Sequence, residues 1–305
     1  MNWEKMGMVF SDIPHQNWWH SHALAPTPIV LPNGLIRVFV GARDGSGVSR
    51  ITFIDLDPDQ NLKIVYRHNM PVLDIGRPGT FDDNGVMPAS AYRVGEALYF
   101  YYTGFQLGTK VEYFMFGGLA VSHDDGISFH RVSEAPILDR ADEGLITRSG
   151  STIIPMNGGY RMWYSSGSKW IECNGKPRPC YDILYLDTPD GIRTKSKGAI
   201  AICADPVIEH GLGRPQVLQI GGTFYLFYTR RTLDYQYSFG YATSKDGLSW
   251  VRHDDLVGVQ HGPDAWDSEM IYFPNVVCRG EETYLFYNGN HYGQYGFGAA
   301  RLISW

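Results

Sequence analysis

Hydrophobic residues follow a repeated pattern in which a turn precedes a strand rich in aromatic side chains. The five copies end at evenly spaced positions, here called the marker residues: Val40, Tyr102, Tyr164, Tyr228 and Tyr287. The spacings between them are 62, 62, 64 and 59 residues. A period of this length holds several short elements, so the pattern indicates a repeat architecture.

Each aromatic strand lies between two other short apolar segments. The preceding segments end ten residues before the marker residue, at Val30, Tyr92, Ile154, Leu218 and Val277. The following segments lie at 51–54, 118–121, 183–186, 240–243 and 298–301. Two repeats continue into an Asp-Gly turn and a further aromatic residue, at 122–129 and 244–250. Asp-Gly supplies the positive φ of a hairpin turn, so the pattern predicts four antiparallel strands per repeat.

These elements predict an all-β protein, a five-bladed β-propeller that forms a single domain over residues 1–305. No helical periodicity of useful length appears. The last repeat ends after its third strand, and we expect the segment 7–10 to supply the fourth. Pairing the two chain ends would close the ring and remove exposed strand edges. A β-sandwich, the alternative, does not explain the repeat period.

Composition narrows the class of protein. The chain has 305 residues, of which 44% are hydrophobic and 19% charged, which excludes a disordered chain. A net charge of −6 argues against a nucleic-acid or anionic-membrane partner. No apolar run is long enough to span a bilayer, and residues 1–6 do not begin a secretory signal. The four cysteines lack metal-site spacing and favour free thiols over a disulfide, so we expect a cytoplasmic protein.

Acidic residues and histidines recur in the loop that leads into the first strand of each repeat. These residues are His20 and His22, Asp82 and Asp83, Glu143, Glu209 and His210, and Asp267 and Glu269. The first strand of a blade lines the central channel, so residues in this register are expected to share one pocket. The alternative is structural, because the similar segments 81–86 and 266–271 can place one aspartate of each pair in an Asx-turn.

Arginines and aromatic residues add candidate ligand contacts. Arg148 and Arg214 lie on first strands, where we expect them to face the pocket; Arg43, Arg230 and Arg231 end second strands. Each either pairs with an acid or binds a carboxylate or phosphate of a ligand. The rim aromatics that could stack on a sugar are Trp18, Trp19, Trp170 and Tyr235.

Several stretches carry a resemblance to a known group. They are Gly-Thr-Phe-Asp-Asp-Asn-Gly-Val at 79–86, Tyr-Arg-Met-Trp-Tyr-Ser-Ser-Gly at 160–167, Ser-Lys-Asp-Gly-Leu-Ser-Trp at 244–250 and Tyr-Asn-Gly-Asn at 287–290. With the repeat, they resemble the glycoside-hydrolase five-bladed propeller superfamily, the clan of invertases, arabinanases and mannoside phosphorylases. Over the whole chain the resemblance is to an uncharacterised bacterial subgroup of glycosidase-like proteins.

The resemblance implies a sugar substrate and carboxylate catalysis in the axial pocket. Hydrolases of this group usually place an acid in blades one, two and three. Blade two matches with Asp82 or Asp83 and blade three with Glu143, whereas blade one has no carboxylate. Either Asp267 or Glu269 of blade five takes that role with His22 assisting, a histidine takes it, or the protein does not hydrolyse glycosides. The residues expected to bind substrate are His20, His22, Arg148, Arg214, Trp170, His210, Arg230 and Asn290.

Three functions follow in order of preference. The first is a glycoside hydrolase acting on a sugar of surface-polysaccharide type. The second is a phosphorylase or transferase-type enzyme on an anionic sugar or nucleotide sugar, which the arginines and the missing blade-one acid favour. The third is a carbohydrate-binding propeller without catalysis. No cofactor is expected, and although the clan admits an axial metal ion, no ligand cluster in the sequence specifies one.

Overall fold

Twenty strands pair in one repeated order in the computed structural model, which describes residues 1–194, 197–263 and 266–305. Five groups of four strands follow one another. Group one contains β2 (Ser21–Val30), β3 (Ile36–Arg43), β4 (Ser49–Asp57) and β5 (Lys63–Arg67). Group two contains β6 (Val86–Val94), β7 (Ala97–Leu107), β8 (Tyr113–Ser122) and β9 (His130–Arg131). Group three contains β10 (Thr147–Met156), β11 (Gly159–Cys173), β12 (Lys176–Thr188) and β13 (Ala199–Ile202).

The remaining two groups complete the set. Group four contains β14 (Glu209–Ile220), β15 (Thr223–Thr232), β16 (Ser238–Ser244) and β17 (Val251–Arg252). Group five contains β18 (Tyr272–Arg279), β19 (Glu282–Asn288), β20 (Phe297–Ser304) and β1 (Asn2–Phe10). The short helical turns are Pro58–Gln60, Asp254–Leu256 and Asn290–Gly293. Within the described ranges, no helix has the length and apolar character needed to cross a membrane.

Strand pairing confirms the all-β class. Within each group, successive strands pair antiparallel. Short parallel contacts between β8 and β10, and between β12 and β14, join groups two, three and four into one twelve-stranded sheet. The count of five separate blades therefore stays a prediction.

The two ends of the chain pair with each other. Strand β1 runs antiparallel to β20, with Gly7 opposite Ala299 and Met8 opposite Gly298. This confirms that the segment 7–10 pairs with the last strand. The pairing leaves β20 with a neighbour on both sides, β1 and β19.

Apolar cores lie between neighbouring groups. Along β19, Tyr284 and Phe286 pack into a core shared with group one, whereas Leu285 and Tyr287 pack into a core shared with group four. The second strands of the other groups alternate in the same way. Because both faces are buried, these strands read as continuous aromatic runs rather than as apolar-polar alternation. The packing contacts form a closed cycle, in which group five also packs on group one.

Each first strand carries a register shift in its pairing with the second strand of its group. In four of them a left-handed residue marks the irregularity: Ala25, Gly150, Arg214 and Phe273. A bulge bends a strand and redirects its side chains. The bulges therefore decide which residues of the first strands point towards the other groups.

Glycine is required at the Asp-Gly turn of group two. Asp125 and Gly126 both have positive φ, 59° and 85°. A Cβ at Gly126 would lie 2.4 Å from the Phe39 ring of group one. The predicted hairpin turn thus also packs against the neighbouring group, and the fourth strand β9 follows it.

Candidate functional site

One cavity receives side chains from all five groups, and we call it the central cavity. Its volume is about 280 Å³. It is lined by Leu24, Arg43, Ser49, Met87, Phe105, Tyr113, Met115, Arg178, Arg231, Tyr272, Phe273 and Tyr292. A separate cleft lies at Arg230, Asp254 and His261.

Arg231 is enclosed by aromatic rings. Its guanidinium carbon lies 5.3, 5.6 and 5.0 Å from the ring centres of Tyr181, Tyr237 and Tyr272. Its Nη2 donates a hydrogen bond to the Tyr272 hydroxyl. Because that oxygen accepts from Arg231, the Tyr272 hydroxyl hydrogen is left to donate to a ligand. The Nε of Arg231 is buried and has no hydrogen-bond partner among the described residues.

Two more guanidinium groups line the cavity. The Nε of Arg43 is likewise buried without a hydrogen-bond partner in the described part of the chain, and burial lowers the pKa of Arg43 despite the nearby phenols of Tyr272 and Tyr113. Arg178 donates from Nε to the Tyr235 hydroxyl at 3.1 Å. The lining residues include no aspartate or glutamate. The cavity therefore carries three positive charges with no carboxylate in its wall.

The predicted acids Asp82 and Asp267 lie outside this lining, in buried ion pairs. Asp82 accepts from Arg131 Nε at 2.8 Å and from the hydroxyl of the marker residue Tyr102 at 3.1 Å. Asp267 accepts from Lys5 Nζ at 2.7 Å and from the marker residue Tyr287 at 2.8 Å. In both groups the cation comes from the fourth strand.

Group four repeats this arrangement with a different acid. The marker residue Tyr228 donates to Asp254 at 2.7 Å, and Arg252 of β17 pairs with the same carboxylate at 2.6 Å. Glu209 is held by Arg230 at 2.6 Å and by Arg252 at 2.7 Å. A marker tyrosine, a carboxylate and a fourth-strand cation thus recur in three groups. For Asp82 and Asp267, this contact gives a structural reason for their position 20 residues before the marker tyrosine.

The other predicted acids stay within their own groups. Glu143 pairs with Arg148 at 3.3 Å and accepts from the Gly198 amide at 3.1 Å. Its Oε2 is buried without a hydrogen-bond partner among the described residues. Asp83 accepts from the Gly79 amide at 2.8 Å, and Glu269 is exposed. The five acids are not brought together in the central cavity, and their catalytic role stays a prediction.

Of the arginines singled out in the sequence, Arg43 and Arg231 line the cavity, whereas Arg148, Arg214 and Arg230 do not. Arg148 bonds the carbonyl of Asp139 and the Tyr164 hydroxyl in addition to Glu143. Arg230 pairs with Glu209, whereas its neighbour Arg231 lies in the cavity. This difference follows from the strand, in which successive side chains point to opposite faces.

Arg214 ties the first strands of other groups together. Its guanidinium donates to the carbonyls of Pro88 and Phe273, both at 3.3 Å, and to the Thr27 hydroxyl at 2.6 Å. It also donates to the carbonyls of Ala25 and Pro26. No carboxylate pairs with it among the described residues, and burial lowers the pKa of Arg214 to about 9. The side chain is used entirely in contacts within the protein.

The remaining predicted ligand contacts are divided between the rim and the interior. Burial and the charge of Arg43 lower the pKa of His22 to about 4, while His20 is exposed. The Trp170 ring packs edge-on against Tyr113 of the cavity wall, with 5.5 Å between ring centres. Asn290 accepts from the amides of Glu269 and Met270, so it holds a turn.

His210 is buried and neutral, which predicts a pH-dependent stability. Its Nδ1 lies 3.0 Å from the Pro179 carbonyl and its Nε2 lies 3.0 Å from the Tyr237 hydroxyl, so Nδ1 donates and Nε2 accepts. Burial and the charge of Arg231 lower the pKa of His210 from 6.5 to about 4. The unfolded chain therefore takes up the proton first, and up to about 3 kcal/mol of stability is lost as the pH falls from 6.5 to 4.

Urea unfolding at pH 7 and pH 5 measures this loss. We expect His210→Gln to reduce the pH dependence in that window, with part of the remainder due to His22, whose pKa is also lowered to about 4, and His20→Gln, at an exposed site, to leave it unchanged. An unchanged slope in His210→Gln would show that other groups cause the acid sensitivity.

The ion pairs of the acids predict a loss of stability on amide substitution. Asp82→Asn removes the charge partner of Arg131 inside a buried contact, so we expect the free energy of unfolding to fall by about 3 kcal/mol. The matched control is Asp83→Asn, where the side chain meets a single amide and the expected change is below about 0.5 kcal/mol. Equal melting temperatures for the two variants would contradict the structural role of Asp82.

Of the cavity residues, Arg43 and Arg231 were among the sequence candidates, whereas the others were not predicted, although one signal was present for Phe105. Arg43, Phe105 and Arg231 all stand three residues after a marker residue, at the end of the second strand. Arg178 and Tyr113 lie on strands of extended hairpins, and Tyr272 and Phe273 lie at a bulge. Those positions do not recur in every repeat, so no periodic signal marks them.

The chain is similar in sequence to two uncharacterized proteins, and it is similar in fold to solved structures at lower identity. No protein-family profile matches the chain. It is 32% identical over 302 residues to the uncharacterized protein Rv1502 of Mycobacterium tuberculosis (strain ATCC 25618 / H37Rv), a match that covers 99% of both chains. The uncharacterized protein MT1551 of Mycobacterium tuberculosis (strain CDC 1551 / Oshkosh) matches to the same extent.

Solved structures with a similar fold are glycoside hydrolases and a phosphorylase. The β-1,2-mannobiose phosphorylase of Listeria innocua, in complex with β-1,2-mannobiose, superposes with a TM-score of 0.74 at 12% identity, over 99% of this chain and 97% of that one. A glycoside hydrolase superposes with 0.72 at 19% identity, over 99% and 92%. A thermostable family-43 glycoside hydrolase superposes with 0.70 at 15% identity, over 93% and 91%. At these identities the likeness shows the fold alone.

Proposed function

The chain belongs to the family of the mycobacterial protein Rv1502, and we propose that it is a glycan-active enzyme that binds an anionic sugar in the central cavity. The observation that carries the proposal is the convergence of Arg43, Arg178 and Arg231 in a wall without a described carboxylate. Guanidinium groups bind carboxylates and phosphates with paired hydrogen bonds.

An anion solves an electrostatic problem in this cavity. Three like charges in a half-buried space repel one another, and each loses part of its hydration. Asp44 directly follows β3 next to the lining. It does not offset the three arginine charges, because it is paired with Arg50 at 2.8 Å. A bound anion would supply the missing counter-charge.

The sugar part of the proposal rests on the fold and on the chemistry of the wall. Fold likeness to glycoside hydrolases and to a mannobiose phosphorylase is an analogy that favours a sugar ligand. The phenols of Tyr113, Tyr272 and Tyr292 offer hydroxyl groups and aromatic faces in the same wall. A volume of about 280 Å³ is just below the range of ordinary ligand cavities, roughly 300–1,000 Å³, and suits a small ligand.

Phosphorolysis or glycosyl transfer fits the cavity better than hydrolysis by two carboxylates. Hydrolysis needs two acids flanking the bond, about 5–5.5 Å or 6.5–9.5 Å apart. The described lining contains none, whereas a phosphate or an anionic donor would bind the guanidinium groups. Carbohydrate binding without catalysis is the second candidate, because Asp82 and Asp267 are each held by a cation and a tyrosine.

An activity screen separates these functions. It would use aryl glycosides, sugar phosphates and sugar nucleotides, each with and without inorganic phosphate, together with a binding assay on the same compounds. We expect turnover of an anionic substrate or of a glycoside in the presence of phosphate. Binding of anionic sugars without any turnover would favour the binding module, and no binding of any anionic sugar would reject the proposal.

The same screen tests the predicted acids. Glu143→Gln, Asp267→Asn and Glu269→Gln are the variants to compare, with melting temperature measured in parallel. A loss of several orders of magnitude in turnover at an unchanged melting temperature would assign catalysis to that acid. Full activity in all three would remove them from the reaction.

The proposal extends to architecture and location. The closed cycle of packing and the β1–β20 pair support a single five-bladed propeller over residues 1–305. A crystal structure counts the blades, and a single calorimetric unfolding transition tests the single domain. The four free cysteines favour the cytoplasm, which cell fractionation would examine.

A further inference from the structure

We infer that the anionic group bound in the central cavity is a phosphate in its dianionic form rather than a carboxylate. The inference rests on the proposed function and names the charged part of its ligand. The phosphate can belong to a sugar phosphate or be inorganic phosphate, because both have a second ionisation and at least three terminal oxygens. The two phosphates of a sugar nucleotide are singly charged diesters, so a sugar nucleotide serves as a comparison. Three arguments support it.

The first argument is the charge balance. The lining carries the three charges of Arg43, Arg178 and Arg231, and a carboxylate would offset one of them. The ionisable residues beside the lining do not change this count. His22 and His210 are neutral at pH 7, since the pKa of each is lowered to about 4, and Asp44 is paired with Arg50. Glu112 adjoins Tyr113 but is exposed. A phosphate monoester, which carries about −1.5 to −2 at pH 7, fits the charge better.

The second argument is the number of hydrogen-bond donors. The Nε atoms of Arg43 and Arg231 are buried with no acceptor among the described residues. The hydroxyl hydrogen of Tyr272 is also left free, because its oxygen accepts from Arg231. A carboxylate offers two oxygens in one plane, whereas a phosphate offers three strong acceptor oxygens. The larger acceptor set satisfies more of these donors.

The third argument is the direction of the donors. Arg43, Arg178, Arg231 and Tyr272 come from groups one, three, four and five respectively. One guanidinium fork matches a planar carboxylate, and it approaches from one side. Donors that arrive from four groups surround their ligand, which suits a tetrahedral anion.

Isothermal titration calorimetry of the full chain tests the inference. The probes are inorganic phosphate, glucose 1-phosphate, UDP-glucose, glucuronate and uncharged glucose, in a buffer without competing anions. We expect inorganic phosphate or glucose 1-phosphate to bind at least about tenfold more tightly than glucuronate at pH 7.5, and more tightly than UDP-glucose, whose phosphates carry one charge each. We expect binding of glucose 1-phosphate or inorganic phosphate to weaken about tenfold at pH 5, because the second pKa of a phosphate is about 6.

Variants assign the effect to the cavity. Arg43→Gln should remove most of the preference for phosphate over glucuronate. Arg77→Gln is the control, since Arg77 forms a surface pair with Glu134 and its side chain is 68% exposed. Comparison of inorganic phosphate with glucose 1-phosphate identifies which source of phosphate the cavity takes.

The failures of the two proposals are distinguishable. Glucuronate binding as tightly as inorganic phosphate and glucose 1-phosphate would overturn the phosphate inference and leave the anionic-sugar proposal in place. The phosphate inference alone also fails if the affinity for glucose 1-phosphate and inorganic phosphate is unchanged between pH 7.5 and pH 5. No heat with any charged probe would reject both proposals.

Discussion

Arg214→Met is expected to lower the free energy of unfolding by about 4 kcal/mol or more, the largest loss of stability in the chain. The guanidinium bonds carbonyls of three other groups, at Pro88, at Phe273 and at Ala25–Pro26. Methionine fills similar space but removes the guanidinium donor from the Pro88, Phe273 and Pro26 carbonyls, whereas the Ala25 carbonyl keeps the Thr27 hydroxyl as a donor. Each acceptor left without a donor costs about 1–3 kcal/mol. Urea unfolding followed by fluorescence measures the change.

Two further variants keep this prediction testable if Arg214→Met does not fold. Arg214→Lys retains the charge but loses the planar fork, so we expect an intermediate loss of stability. Arg77→Met removes an arginine from an exposed pair, and its expected change is within about 0.5 kcal/mol. If Arg214→Lys were as stable as the parent chain, the charge alone would explain the role of Arg214 and the multiple hydrogen bonds would not.

The strand order could be predicted from the sequence because it depends on a repeated physical requirement. A second strand buried on both faces must be apolar at every position, and the aromatic segments ending at Tyr102, Tyr228 and Tyr287 meet that requirement. The strand that the last repeat lacks also had to come from the other chain end. Pairing of β1 with β20 follows from the need to satisfy the edge of β20.

The site could be predicted only in part, because side-chain direction depends on strand alternation and on bulges, which the repeat pattern does not show. Asp82 and Asp267 recur in register, and the same register arises because each binds its own marker tyrosine, Tyr102 or Tyr287. The position of a carboxylate about 20 residues before the marker does not by itself separate these cases. The distinguishing signal was the cation on the fourth strand, such as Arg131 or Lys5.

Strand alternation and bulges account for the arginines. Arg230 and Arg231 are adjacent on one strand, so their side chains point to opposite faces. Arg230 pairs with the buried Glu209, whereas Arg231 points into the central cavity. Arg214 has a left-handed φ of 51° at a bulge, which turns its side chain into the contacts between groups instead of the cavity wall. The sequence included Arg43 and Arg231 among its candidate arginines, whereas the backbone was needed to separate them from Arg148, Arg214 and Arg230.

This adjacency supplies the last prediction: Arg231→Gln is expected to weaken binding of the anionic ligand by at least about 100-fold, or about 2.7 kcal/mol. The substitution removes a charge that lies in the cavity and the donor to Tyr272, while glutamine retains part of the side-chain volume. The measurement is titration with whichever phosphate-bearing probe binds the parent chain most tightly.

Arg230→Gln is the matched control, one residue away on the same strand. It removes one of the two cations that hold the buried Glu209 carboxylate, while Arg252 stays paired with it, so we expect a loss of stability of about 1–2 kcal/mol. Because Arg230 does not line the central cavity, the affinity for the probe should stay within about threefold of the parent value. We thus expect Arg231→Gln to lower the affinity for the probe and Arg230→Gln to lower the free energy of unfolding. Equal losses of affinity in both variants would mean that the cavity responds to general loosening of group four and not to the charge of Arg231.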